Sequence, residues 1–129
     1  MNKAEIREEA QLYFVPFFLG SNSTSHKLSK KIYRKYKITS YITDTKKTTS
    51  DFLDFTNIFW LLHHTMEDSI VVTQLIYLAE QTPYTLPLLI PCTPKYTELV
   101  ERNRQLLESY FVILNHQDLL SNSPLNIIP

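Results

Sequence analysis

Short apolar runs alternate along this chain with stretches whose apolar residues recur every three or four positions, and this alternation constrains the fold more than any other feature. Val15 to Leu19 is too short for a helix and is closed by Gly20, so it reads as a strand covered on both faces. After a polar turn, Leu28, Ile32 and Tyr36 fall at helical spacing, opposite Lys27, Lys30, Lys31, Arg34 and Lys35. Ser23 or Thr24 is the expected cap. A second strand is expected at 39–43 and a third at 58–61. A helix opened by Thr65 follows, carrying Ile70, Val71, Leu75, Leu78 and Ala79 on one face and halted by Thr82, Pro83 and Pro87. A strand at 87–91 leads to Thr93-Pro94, a favourable helix start because proline at the first helical position gives up an N–H that has no partner there. That helix is expected to run to Ser109, with Glu98 paired to Arg102, before a last strand at 111–114. The pattern predicts an α/β fold: a small three-layer sandwich around a mainly parallel, Rossmann-like sheet of four to five strands. Residues 1–129 form one domain on this reading, with 1–11 as a lead-in segment and 121–129 as a tail.

Composition removes several functions. The single glycine excludes both a dinucleotide fingerprint and a P-loop, which need closely spaced glycines so that backbone can approach phosphate. Thirteen basic residues balance thirteen acidic ones, so no overall field draws the chain to nucleic acid. The longest apolar run, Leu12 to Leu19, is interrupted by Pro16 and falls far short of the roughly 20 residues of a membrane span. The acidic segment before it is wrong for a secretory signal. One cysteine allows no internal disulfide and no zinc knuckle, which fits a reducing, cytoplasmic setting.

The chemistry-bearing residues are sparse. Cys92 lies between a strand and a helix, where a helix dipole can activate a thiol, but a phosphate-binding loop needs arginine six positions on and Glu98 stands there. His63 and His64 are adjacent and point apart, so no metal site is expected. His26 and His116 read as single surface residues. The basic stretch Lys27 to Lys37 lacks an aromatic platform and reads as a solvated helix face. In an open parallel sheet, ligands gather at the carboxyl ends of the strands. The candidate substrate-binding residues are therefore Gly20, Ser21, Asn22, Ser23, Thr43, Asp44, Thr93 and Lys95, with Gly20 expected to hold an unusual backbone angle or a close approach.

Two blocks carry a family likeness. Val15-Pro-Phe-Phe-Leu-Gly, with the turn and the helix ending Tyr33-Arg-Lys-Tyr-Lys-Ile-Thr-Ser, resembles the first β-α-β unit of the amino-terminal domain that precedes the ATP-grasp fold in carboxylate–amine ligases of the D-aspartate ligase type. Leu88-Leu-Ile-Pro-Cys-Thr-Pro-Lys-Tyr-Thr-Glu-Leu-Val-Glu-Arg-Asn-Arg, continuing to Leu107-Glu-Ser-Tyr-Phe-Val-Ile, is similar to that family's Ile-Pro-Cys segment, helix and strand. The likeness spans about 15–120. It departs at Gly20-Ser21-Asn22, where the family has a Gly-Gly-Asp-like loop, and at Thr93-Pro94, where the family's cysteine is followed by Gly-Asp.

The resemblance implies a substrate-side domain that is not catalytic by itself, with ATP and Mg²⁺ held in an ATP-grasp portion expected beyond Pro129 and no cofactor on this chain. Implied partners are the remainder of the ligase or a homo-oligomer partner, and a small carboxylate or amino acid. The alternative is a stand-alone, non-catalytic α/β interaction module.

Overall fold

The computed structural model describes residues 14–48, 51, 54–63, 67–83 and 85–122. Five strands form one sheet: β1 (Phe14–Leu19), β2 (Ser40–Asp44), β3 (Asn57–Leu61), β4 (Leu86–Pro91) and β5 (Val112–Ile113). Their order is β3-β2-β1-β4-β5, and every neighbouring pair is parallel. The strands lie within one residue of their expected positions. β5 is trimmed at both ends to a ladder of two residues, although Phe111 and Leu114 beside it are buried.

Helix α1 (Ser23–Tyr36) joins β1 to β2, α2 (Asp68–Glu80) joins β3 to β4, and α3 (Pro94–Arg102) with the short α4 (Arg104–Leu107) joins β4 to β5. A last short helix, α5 (His116–Ser121), follows β5. Because strand side chains alternate between faces, β1 and β4 feed two cores. Phe17, Leu19 and Leu89 pack with Val71, Val72 and Leu75 of α2 and Tyr96, Leu99 and Val100 of α3. Phe14, Phe18, Leu88 and Ile90 pack on the other face with Leu28 and Ile32 of α1 and Leu119 of α5. The three layers are thus helices, sheet, helices, the arrangement expected from the alternation.

Local differences have local causes. Asn22, not Ser23 or Thr24, caps α1: its side chain accepts from the Ser25 N–H while the Ser25 hydroxyl receives the Asn22 N–H, a reciprocal pair that satisfies two donors at once. Thr93 caps α3 with Pro94 at its start, as expected. The helix does not run unbroken to Ser109. Asn103 interrupts it at φ −120°, its side-chain amide donating both to the Leu99 carbonyl and to Asp68, so a side chain competes with the backbone ladder. Arg102 does not take Glu98 as its hydrogen-bonded partner; its guanidinium grips both oxygens of Asp68, at 2.8 and 3.0 Å, and ties the end of α3 to the start of α2. The expected opening of the second helix at Thr65, the lead-in 1–11 and positions 123–129 of the tail lie outside the described residues. No helix among the described residues is long and apolar enough to cross a membrane.

Candidate functional site

The chain leaves β1 toward β2 and β3 on one side, then returns across the sheet to β4 and β5 on the other, so its direction switches between β1 and β4. This is where the connecting loops diverge and a crevice opens in such sheets. The two loops at the switch point are Gly20–Asn22 and Cys92–Thr93, and the end of β2 lies beside them. Cys92 donates its N–H to the Leu19 carbonyl at 2.9 Å, Asn22 donates its side-chain amide to the Cys92 carbonyl at 2.9 Å, and Gly20 donates its N–H to the Thr43 carbonyl at 2.8 Å. The expected loops therefore do meet on one edge.

Gly20 has φ +107°, and a Cβ there would stand 2.8 Å from Thr93 Cγ2 and 3.2 Å from Tyr96 Cδ2. The close approach anticipated for this residue is to the neighbouring loop of the protein itself. Asp44 is also engaged: its carboxylate receives the Ser21 N–H (2.8 Å), the Thr45 N–H (2.7 Å) and the Tyr96 hydroxyl (2.9 Å). Burial pushes the Tyr96 phenol pKa well up, and the adjacent Asp44 adds to the effect, so Tyr96 stays a hydroxyl donor. Thr43 is fully buried and donates its hydroxyl to the Phe18 carbonyl at 3.1 Å. Of the eight candidate residues, Ser23 and Lys95 are exposed, and Lys95 lies with its ammonium 5.1 Å from the centre of the Tyr96 ring. The other six hold the edge together.

Cys92 is buried, and desolvation pushes its thiol up to about 12. Its Sγ donates to the Ile90 carbonyl. Burial outweighs the nearby helix terminus, and the nucleophile geometry weighed from the sequence gives way to a closed strand end. Native protein at pH 8 is expected to react with Ellman's reagent roughly a thousandfold more slowly than protein unfolded in urea. Equal rates in the two states would show the thiol to be accessible.

His26 is the residue that sequence reasoning misplaced. It is buried rather than on the surface, and lies between two carboxylates of the β2–β3 connection: Nδ1 is 2.6 Å from Asp54 Oδ2 and Nε2 is 2.8 Å from Asp51 Oδ1. Burial by itself pushes both Asp51 and Asp54 up. For Asp51 the donors from Thr48, Ser21 and His26 outweigh it, and for Asp54 those from His26 and Thr56 do, so both carboxyls are held below the usual carboxylate range. The ring has a carboxylate oxygen within hydrogen-bond distance of each of its nitrogens. Ser21 Oγ is 3.2 Å from Nε2, which has the outline of a nucleophile relay. The relay is not assembled, because Ser21 gives its proton to Asp51 at 2.7 Å and Nε2 is engaged by the same carboxylate oxygen at 2.8 Å.

Next to the switch point a groove of about 830 Å³ opens between α3 and α5, beyond the carboxyl ends of β4 and β5. Thr93, Glu98, Glu101, Arg104, His116 and Asp118 are among its walls. His116 Nδ1 donates to the Pro91 carbonyl at 3.1 Å. Arg104 is held by Glu101 and Glu108. The first turns of α1 and α3, which point toward this edge, contain no acidic residue. Of these residues only Thr93 was among the candidate binding residues; His116 read as a single surface residue, and a polar residue three places beyond a short strand carries no periodic signal.

Among the described residues no cluster of three His, Cys, Asp or Glu side chains is placed to hold a metal ion. No protein-family model matches this chain, and neither a curated protein nor a solved structure matches it.

Proposed function

We propose that this chain is the amino-terminal, substrate-side domain of an ATP-grasp carboxylate–amine ligase of the D-aspartate ligase type. The observation that carries the reading is the groove beside the β1/β4 switch point, which combines features for both ends of an amino acid. Glu98 and Asp118 on its walls suit an ammonium group, and the acid-free amino end of α3 suits a carboxylate. The two blocks that resemble the family supply the edge: one contains Gly20 and the other Cys92-Thr93-Pro94, and the hydrogen bonds between them set the position of α3. In this reading the domain contributes one wall of the substrate site. ATP and Mg²⁺ belong to the ATP-grasp portion, where the carboxylate is activated as an acyl-phosphate before the amine attacks. The domain by itself performs no chemistry in this reading, since its interlocked donors at the switch point serve packing, its thiol is buried, and both nitrogens of His26 are taken up by Asp51 and Asp54.

A titration followed by amide chemical shifts tests this. Adding small amino acids is expected to move the resonances of residues 93–98 and 115–118, while Mg-ATP leaves the whole spectrum unchanged because no glycine-rich or lysine-bearing phosphate cradle is present. Saturable shifts with Mg-ATP, or shifts with amino acids confined to surfaces away from the groove, would overturn the assignment.

A further inference from the structure

The sheet has two edges, and they are finished differently. β5 offers a ladder of only two residues and is followed at once by α5. β3 offers five residues, Asn57–Leu61, paired to β2 on one side and to no described strand on the other. Long exposed edges are normally blunted by lysine, proline or an inward-facing charge, because their free N–H and C=O groups template pairing with another chain. From Phe55 to His63 the sequence holds no lysine, arginine, aspartate, glutamate or proline.

The surface around this edge is apolar. Ile58 is 49% exposed, Leu61 59% and Phe55 91%. Trp60 lies with its ring centre 6.2 Å from that of Tyr77 on α2, itself 51% exposed, and Ile70 stands two helical turns before Tyr77 on the same side of the helix. α2 covers Val71, Val72, Leu75 and Leu78 against the sheet, so these outer residues form a shelf beyond it. Ile58 and Trp60 stand on the α2 side of the strand and Leu61 on the other, so apolar side chains flank the edge on both faces and with Phe55 present roughly 600 Å² in all.

We propose that β3 is the interface of a homodimer in which two copies pair antiparallel about a two-fold axis, joining their sheets into one of ten strands. The occupant is a second copy because the patch is self-compatible. Its exposed apolar side chains carry no charge, the Lys47 ammonium standing 5.9 Å from the centre of the Phe59 ring, and pairing centred on Phe59 sets Ile58 of one copy opposite Trp60 of the other. The apolar shelf and the paired strand backbones together approach the roughly 800 Å² per partner of a stable interface. The β1/β4 edge stays open, and the inference does not depend on the ligase reading.

Trp60 is the sole tryptophan, so its emission reports on this interface alone. Sedimentation velocity over a dilution series is expected to show a dimer passing to monomer, with Trp60 emission moving to longer wavelength in step. Ile58→Lys is expected to be monomeric at every concentration, with an unchanged far-UV circular dichroism spectrum. If that variant loses its fold, Leu61→Lys at the exposed end of the strand gives the same reading. A wild-type chain that sediments as a monomer throughout, or a dimer that persists in the folded lysine variants, overturns the proposal.

Discussion

Replacing His26 with alanine is expected to cost about 3–5 kcal/mol of folding stability, the range found when one partner of a buried ion pair is removed and the other is left behind. The reason is specific to the arrangement. Asp51 and Asp54 have almost no exposed side-chain surface, and each puts a carboxylate oxygen within 2.8 Å of the same imidazole. Without the ring, two desolvated charges keep, among the described residues, only their hydroxyl and N–H donors from Ser21, Thr48 and Thr56. The same clamp predicts an acid response. Both carboxyls have folded-state pKa values below the ordinary 3.8, so their contribution is complete above about pH 4 and is lost as the pH falls through the lowered values. Urea titrations of the wild type should therefore show stability declining below about pH 4, with a shallower decline in the Asp51→Asn, Asp54→Asn double variant. A His26→Ala chain within about 1 kcal/mol of wild type would mean that the clamp does not anchor the β2–β3 connection.

Gly20→Ala is expected to cost about 3 kcal/mol, from two separable sources. One is the backbone: φ +107° is a conformation that L side chains rarely adopt. The other is steric, since the new methyl would sit 2.8 Å from Thr93 Cγ2. Thr93 has little room to yield, because its hydroxyl caps α3 and its branched side chain is stiff. Thr93→Ser keeps the capping oxygen and deletes the offending methyl. Added to Gly20→Ala, it should recover about 1–2 kcal/mol in the urea midpoint and leave the backbone strain in place. A double variant no more stable than Gly20→Ala alone would place the whole cost in the backbone.

Much of the architecture was legible because its signals are local. Val15 to Leu19 is apolar without interruption since both faces of β1 are covered, and Leu28, Ile32 and Tyr36 repeat at helical spacing since one side of α1 meets the sheet. Thr93-Pro94 announces a helix start through the chemistry of one missing N–H. Even Gly20 was legible as a place where a side chain would obstruct, though not as to what it would obstruct. α5 was not legible, because six residues with Leu119 as their one buried anchor are too few to show a period.

The sequence by itself determined the order of strands and helices, hence a parallel three-layer sheet, because apolar periodicity depends only on which residues neighbour one another along the chain. Tertiary structure alone decided the polar interior and the site. Ser25, His26 and Ser29 form a buried polar side of α1, and a periodicity argument assigns such residues to solvent. Their partners arrive from elsewhere, Asp51 and Asp54 standing 25 and 28 residues from His26. Pairing a buried charge depends on distances that only the fold creates, and so does a groove whose two walls, α3 and α5, are brought together by the separate packing of each against the sheet.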